Sequence, residues 1–367
     1  MTDEIISIAA PQLGAREKDR IAAVIDSGII ADGPEVRGFE REFADYCDAD
    51  HGIATSNGTT ALHAALHGLG IGPGDRVLTT PFTFIATANA VTFTGADVGF
   101  VDIDPETYNI DPDALEARLR DGEQVDAVIA VHLYGLPADM KRLTELAETY
   151  DFLLVEDAAQ AHGAEVDGQR VGSFGDAACF SFYPTKNMTT SEGGMITTNH
   201  ADVAERVARF VDHGRVSGYE HAEVGHNFRM TSIAAAIGRI QLERLPEFTR
   251  ARQSNAAALT EYLEDAPVTT PYTPPGRTHV FHQYTVQCDG IERDALKSYL
   301  DSNHIGTGVY YPKTVHEQRP YQHLSVSAPV AEQAAERVLS LPVHPGLSAD
   351  DVERVGRTVA NYLEVVT

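Results

Sequence analysis

The stretch VDAVIAVHLYGLPADMKRLTELAETYDFLLVED, residues 125–157, decides the fold. An apolar run (125–131) leads into an amphipathic stretch (137–150), and a second apolar run (151–157) follows. Runs apolar at nearly every position need cover on both faces, and two strands joined through a helix lie parallel. Outward from this unit the alternation continues. RVLTT (76–80), DVGFV (97–101) and ACFSF (178–182) read as further buried strands, and TALHAALHGLG (60–70) and DPDALEARLR (111–120) read as helices. The expectation is a large α/β domain over residues 1–250, with a mostly parallel sheet flanked by helices.

Beyond residue 200 the pattern changes. ADVAERVARFVDH (201–213) reads as a helix, RVSGYEHAEVGHNFRM (215–230) as a loop, and residues 232–265 as one long helix with a kink or break at Pro246. The segments 280–288, 293–303, 307–311, 329–340 and 348–363 make a smaller C-terminal α/β domain over 251–367. GLGIGPGDRV (68–77) lacks the spacing of a dinucleotide fingerprint and precedes a strand, so it reads as a helix stop and a turn.

Composition narrows the function. The 367 residues carry 28 Lys plus Arg against 54 Asp plus Glu, a formal net charge of -26. Only five of the 28 are lysines: Lys18, Lys141, Lys186, Lys297 and Lys313. Such a surface repels itself at low salt and is relieved by screening, which suits a halophilic, salt-adapted protein. Nucleic acid is excluded as a partner because no basic cluster offers to bind phosphates. No apolar run approaches a membrane span, and MTDEIISIAAPQ (1–12) has no signal-peptide pattern, so the expectation is a soluble, cytoplasmic protein with no membrane partner. Cys47, Cys179 and Cys288 are odd in number and widely spaced, which fits reduced thiols and no metal site.

Local charge separates the lysines. A lysine that does covalent chemistry must lose its proton at working pH, and burial among uncharged groups brings that about. Lys186 is the only Asp, Glu, Lys or Arg in AACFSFYPTKNMTTS (177–191), whereas Lys18, Lys141 and Lys297 sit in charged helical contexts. Lys313, in YYPKTVHE, is the rival, or a cation for an anionic substrate. Asp157 ends an apolar strand, where it can face a ligand crevice or cap a helix. In ATSNGTTALHAAL (54–66) a small polar turn opens a helix, and its free N–H groups with Thr59 and Thr60 form an anion cup or a plain cap. Phe82 and Phe84 in PFTFIATANAV (81–91) can stack on a planar ring or join the core. A phosphate cup, a stacking aromatic, an Asp for a pyridinium nitrogen and a desolvated Lys are together the parts that pyridoxal phosphate uses.

The blocks TSNGTTAL, TTPFTFIATANAV, VEDAAQAHGA, FSFYPTKNMTTSEGGMITT, HNFRMTSIAAAIGRIQLE and LSLPVHPGLS together resemble the DegT and StrS family of sugar aminotransferases, within the fold-type I pyridoxal phosphate enzymes. The resemblance spans essentially the whole chain. It implies that Lys186 bonds to the cofactor and moves protons, that Asp157 holds the pyridine nitrogen protonated, and that Gln160 meets the ring hydroxyl side. By the same resemblance Phe84 stacks on the ring, Gly58, Thr59, Thr60 and Ser181 bind the phosphate, and Asn227 reaches that phosphate from the neighbouring subunit of a homodimer. Related dehydratases carry His where Lys186 stands, so transamination from glutamate to a keto sugar nucleotide is the implied reaction, with dehydration or a non-catalytic regulatory role as alternatives. Ser191 stands where relatives commonly have Gly. For an anionic acceptor the candidate contacts are Arg229, Lys313 and Arg215 as cations, and Tyr183, His162, Tyr311 and His316 as polar or aromatic groups.

Overall fold

The computed structural model describes residues 5–362. Among the described residues the central sheet has seven strands: His51–Thr55 (β1), Arg76–Thr79 (β2), Asp97–Phe100 (β3), Ala127–Val131 (β4), Leu153–Asp157 (β5), Ala177–Ser181 (β6) and Gly194–Thr198 (β7). Their order is β1-β7-β6-β5-β4-β2-β3. From β6 through β3 every pairing is parallel, and β7 runs antiparallel to both β6 and β1.

The two-sided burial of these strands follows from their composition. All five residues of β4 are buried, with Ala127 and Ile129 packed on one face and Val128 and Ala130 on the other. One face is covered by the helices Gly58–Gly68, Ala86–Thr94 and Ala201–Val211, through Leu66, Val91, Val207 and Phe210. The opposite face receives Leu143 and Leu146 of the helix Met140–Tyr150. That helix starts where Asp139 Oδ1 accepts the Arg142 N–H at 3.2 Å, and it ends at Asp151 in the left-handed region. Because β2, β4, β5 and β6 are parallel, their carboxyl ends meet at one sheet edge, where α/β folds place their ligands.

A second sheet joins Val268–Thr269 (β8), Tyr284–Cys288 (β9) and Val338–Leu341 (β10) in antiparallel fashion. It packs with the helices Arg293–Ser302 and Ala349–Ala360 around Leu296, Leu300, Leu339 and Val355. The helix Ser232–Tyr262 links the two cores, with Leu242 and Leu245 in the first and Ala256 and Leu259 in the second. Of the expected kink or break at Pro246, a break does not occur, and the helix continues through the proline. The proline removes one donor, but buried Leu242, Leu245 and Phe248 hold the helix on both sides of it. Chain ends do not respect the two cores: Ile6 packs in the smaller one, while Val315 and Tyr321 return to the larger. Within the expected loop 215–230, Arg215–Ser217 and Glu220–His221 pair as a short ribbon.

All three cysteines are free and buried. Among the described residues no helix is long and apolar enough to cross a membrane.

Ser191 adopts φ 76°, in the left-handed region that glycine occupies at no steric cost. Its N–H donates to Thr189 Oγ1 at 2.9 Å, so the turn before β7 holds it there. Relief of the strain outweighs the added freedom of the unfolded chain, and Ser191→Gly is expected to stabilise by up to about 1 kcal/mol. Thermal unfolding checks this, and a lowered midpoint would show that the turn is not strained.

Candidate active site

The anion cup is built from backbone. The helix Gly58–Gly68 begins two residues after β1, with Asn57 as its cap: Asn57 Oδ1 accepts the Thr60 N–H at 2.9 Å. Thr60 Oγ1 donates to the Asn57 carbonyl at 2.8 Å and lies 3.2 Å from Ser56 Oγ, so its hydroxyl serves the turn itself. The N–H groups of Gly58 and Thr59 lie in the first helical turn, where no intrahelical acceptor exists. A Cβ on Gly58 would lie 2.8 Å from Ser181 Cβ. Only glycine lets the helix start approach the end of β6 this closely.

Asp157 ends β5 and is buried. Thr87 Oγ1 donates to its Oδ2 at 2.8 Å and the Ala159 N–H to its Oδ1 at 3.2 Å. Burial raises its pKa above the ordinary carboxylate value, while these two donors and the charge of Lys186 pull the other way. Gln160 is fixed at both ends: its Oε1 accepts the Tyr134 N–H at 2.7 Å, and its Nε2 donates to the Tyr311 hydroxyl at 3.1 Å. Burial, and then the charge of Asp157, push the Tyr311 phenol far up, so it stays protonated.

Lys186 lies in the loop between β6 and β7, where its N–H donates to the Tyr183 carbonyl at 2.9 Å. The next residue anchors the loop, since Asn187 Nδ2 donates to the Val280 carbonyl at 3.0 Å. Burial lowers the Lys186 amine to about 8, against the opposing pull of Asp157. This is the perturbation that the uncharged surroundings of Lys186 in the sequence imply.

These groups share one cleft of about 740 Å³. Gly58, Thr59, Thr60, Phe84, Asp157, Gln160, Ser181, Tyr183, Lys186 and Tyr311 all line it. Phe84 is 57 % exposed with its ring centroid 6.1 Å from that of Tyr311, so an aromatic face is available to a ligand. Phe82, by contrast, is fully buried core. The cleft also contains Asn57, Thr87, Glu192, His282 and Gln283, none of which the sequence reading singled out. Thr87 stood in PFTFIATANAV, one helical turn beyond Thr83, whose hydroxyl it meets at 3.0 Å. That spacing was the available signal. His282 and Gln283 lie in VFHQYTVQC, which reads only as a strand.

Several expected substrate contacts lie elsewhere. His162 is fully buried among Phe43, Phe180 and Phe182, and burial drops its pKa to about 3, so it is a neutral core ring. His316 is buried outside the cleft, with Nε2 3.1 Å from Glu332 Oε1. Lys313 is exposed and lines, with His316, a surface depression apart from the cleft. Arg229 is tied to Asp212, and Arg215 lies on the exposed ribbon with Asp212 3.5 Å away. Asn227 is exposed, bridged to Asp212 through the backbone, and does not line the cleft of its own chain. The cations were chosen by residue type, but in this acidic chain a neighbouring carboxylate claims both arginines.

Thr87→Val removes a donor that favours the ionised form of Asp157. The sign follows directly: the carboxyl titrates at higher pH, so the acid limb of a kcat/KM profile moves up in pH, with a loss of about tenfold on that limb. An unchanged acid limb would show that Asp157 does not control it.

The profile of the DegT/DnrJ/EryC1/StrS aminotransferase family matches residues 11–360. The chain is 42% identical over 360 residues to a GDP-perosamine synthase of Caulobacter vibrioides, covering 95% of this chain and 96% of that one. It is also 42% identical over 337 residues, 90% of each chain, to a pleiotropic regulatory protein of Geobacillus stearothermophilus. Among solved structures it is similar to Streptomyces venezuelae DesV in complex with a ketimine intermediate, at 40% identity and a TM-score of 0.91, over 95% of this chain and 94% of that one. With a fold of this type and a lysine, a carboxylate and an anion cup in one cleft, the chain belongs to the DegT/DnrJ/EryC1/StrS aminotransferase family.

Proposed function

We propose that this protein transfers the amino group of glutamate to a keto sugar nucleotide, as a homodimer in the cytoplasm of a salt-adapted cell. The observation that carries the reading is the meeting of Lys186, Asp157 and the Gly58–Thr59 cup in one cleft. Aminotransferases of this family depend on pyridoxal phosphate, and the residues present fit it. The close approach of Gly58 to Ser181 leaves backbone donors for a phosphate, and Asp157 offers a buried anion for a ring nitrogen. When bound, the cofactor supplies an electron sink and a carrier for the amino group.

The chain's own groups do the rest. Thr87 and the Ala159 N–H orient the Asp157 carboxylate, which would keep a ring nitrogen of the bound cofactor protonated. Gln160 and Tyr311 form a hydrogen-bonded wall beside it, and Phe84 offers its ring face. Lys186 takes the proton from the donor carbon and returns one, which its lowered pKa permits near neutral pH. In balance, glutamate leaves as 2-oxoglutarate, and the sugar carbonyl carbon becomes a carbon bearing hydrogen and an amine.

The dimer has its own support. Among the described residues Lys186 is the only Lys or Arg lining the cleft, whereas Asp157 and Glu192 also line it. An acceptor diphosphate therefore needs cations from elsewhere, and a neighbouring subunit is the source this reading requires.

Incubation with a keto sugar nucleotide and 15N-glutamate is expected to move label into the sugar, and Lys186→Ala to lose at least about 10³-fold in rate. Sugar product without label would instead point to dehydration. The rate is expected to rise from low to molar salt as screening offsets the charge of -26; a rate that falls monotonically would refute the salt-adapted reading.

A further inference from the structure

Behind the Lys186 loop lies a buried cation without a counter-charge. Arg252, on the helix Ser232–Tyr262, is only 5 % exposed. Its Nη1 donates to the carbonyls of Phe281 at 3.1 Å and His282 at 3.2 Å. Its Nε is buried with no acceptor among the described residues. Burial alone accounts for the depression of its pKa to about 10; no carboxylate acts on it. A guanidinium held out of water needs either a partner charge or a full set of acceptors, and Arg252 has neither.

The same side chain borders a cavity of about 20 Å³. Its walls include Gln12, Lys186, Asn187, Gln241 and Phe248, and none of the residues lining it is Asp or Glu. In a chain with 54 carboxylates that exclusion is informative. The adjacent acid, Glu17, is committed elsewhere: its Oε1 accepts from Arg244 Nη1 and Gln241 Nε2, both at 2.8 Å. Nor do the neighbouring imidazoles bring negative charge. His162, His282 and His344 are depressed first by burial and then by positive charge that includes Arg252.

A space of this volume holds one water-sized particle. Of the common counter-ions, monatomic chloride demands less room than a carboxylate, phosphate or sulfate. We propose that this cavity is a halide site, in which one chloride ion accepts hydrogen bonds from the Arg252 guanidinium and serves as its counter-ion.

The ion would sit where four segments meet: the N-terminal stretch 9–12, the helix carrying Arg252, the loop 184–187 that presents Lys186, and the segment at Pro345. Its binding therefore steadies the back of the active-site loop. An overall charge of -26 repels anions at low salt, and screening removes that barrier as salt rises. The site thus gives one specific, saturable component to a salt dependence that is otherwise diffuse.

Two measurements on the full chain test it. Crystals grown with sodium bromide in place of chloride are expected to show an anomalous peak within hydrogen-bonding distance of the Arg252 guanidinium. At constant ionic strength, replacing gluconate by chloride is expected to raise the unfolding midpoint by about 2–4 °C, saturably. Arg252→Met is expected to abolish that response. A bromide map with no peak at Arg252, or a midpoint indifferent to the anion, would overturn the proposal. If Arg252→Met does not fold, the bromide map of the unaltered protein decides alone.

Discussion

A carboxylate buried at the end of a central strand stays charged only where donors surround it, and the site is organised around meeting that demand at Asp157. Its two donors come from different parts of the chain: Thr87 from the helix that follows β2, and the Ala159 N–H from the turn that follows β5. Lys186, from the loop after β6, adds a charge of opposite sign. Parallel strands make this possible. Their carboxyl ends share one edge, so a helix 70 residues away in the chain and the loop after the next strand arrive at the same carboxylate. Loss of register in β5 would turn Asp157 to the other face and dissolve the arrangement.

The adjacent residue shows how far position alone decides a side chain's role. Glu156 precedes Asp157 in β5 and therefore points to the opposite face. There its carboxylate accepts the N–H groups of Gly172, Phe174 and Gly175 and lies 3.0 Å from His132 Nε2. His132 Nδ1 accepts the Ala138 N–H, which places the ring proton on Nε2, facing Glu156. Every bonding position of Glu156 is used for structure, while Asp157 keeps room on its cleft side. Negative charge is handled in the same economical way throughout: the cup relies on backbone donors, and among the described residues the cleft of one chain has a single Lys or Arg, Lys186.

The alternating strands and helices around 125–157 are legible because buried parallel strands must be apolar on both faces, and β4 and β5 lie where that pattern puts them. Lys186, Asp157 and the opening of the helix at Gly58 were legible for a related reason: each stands at a junction of elements and in unusual chemical company. His282 and Gln283 were not, because two polar residues beside a strand carry no local mark, and Thr87 was marked only by its four-residue spacing from Thr83. His162 was misleading. It follows Asp157 closely in the chain, yet the turn after β5 sends its ring into a cluster of phenylalanines.

The long helix shows the same limit from the side of stability. A proline in its middle argues for a break by local propensity, and packing of Leu242, Leu245 and Phe248 overrides it. By itself the sequence determined the order of elements, the apolar faces, the acidic surface and the lysine able to lose its proton, since each depends on residues that are neighbours in the chain. Only the tertiary structure decided which cations were free and which carboxylates had claimed them. It also decided that Thr87 would hold Asp157 and that Arg252 would lie buried without an acid, because those outcomes depend on distances between residues that the chain alone does not bring together.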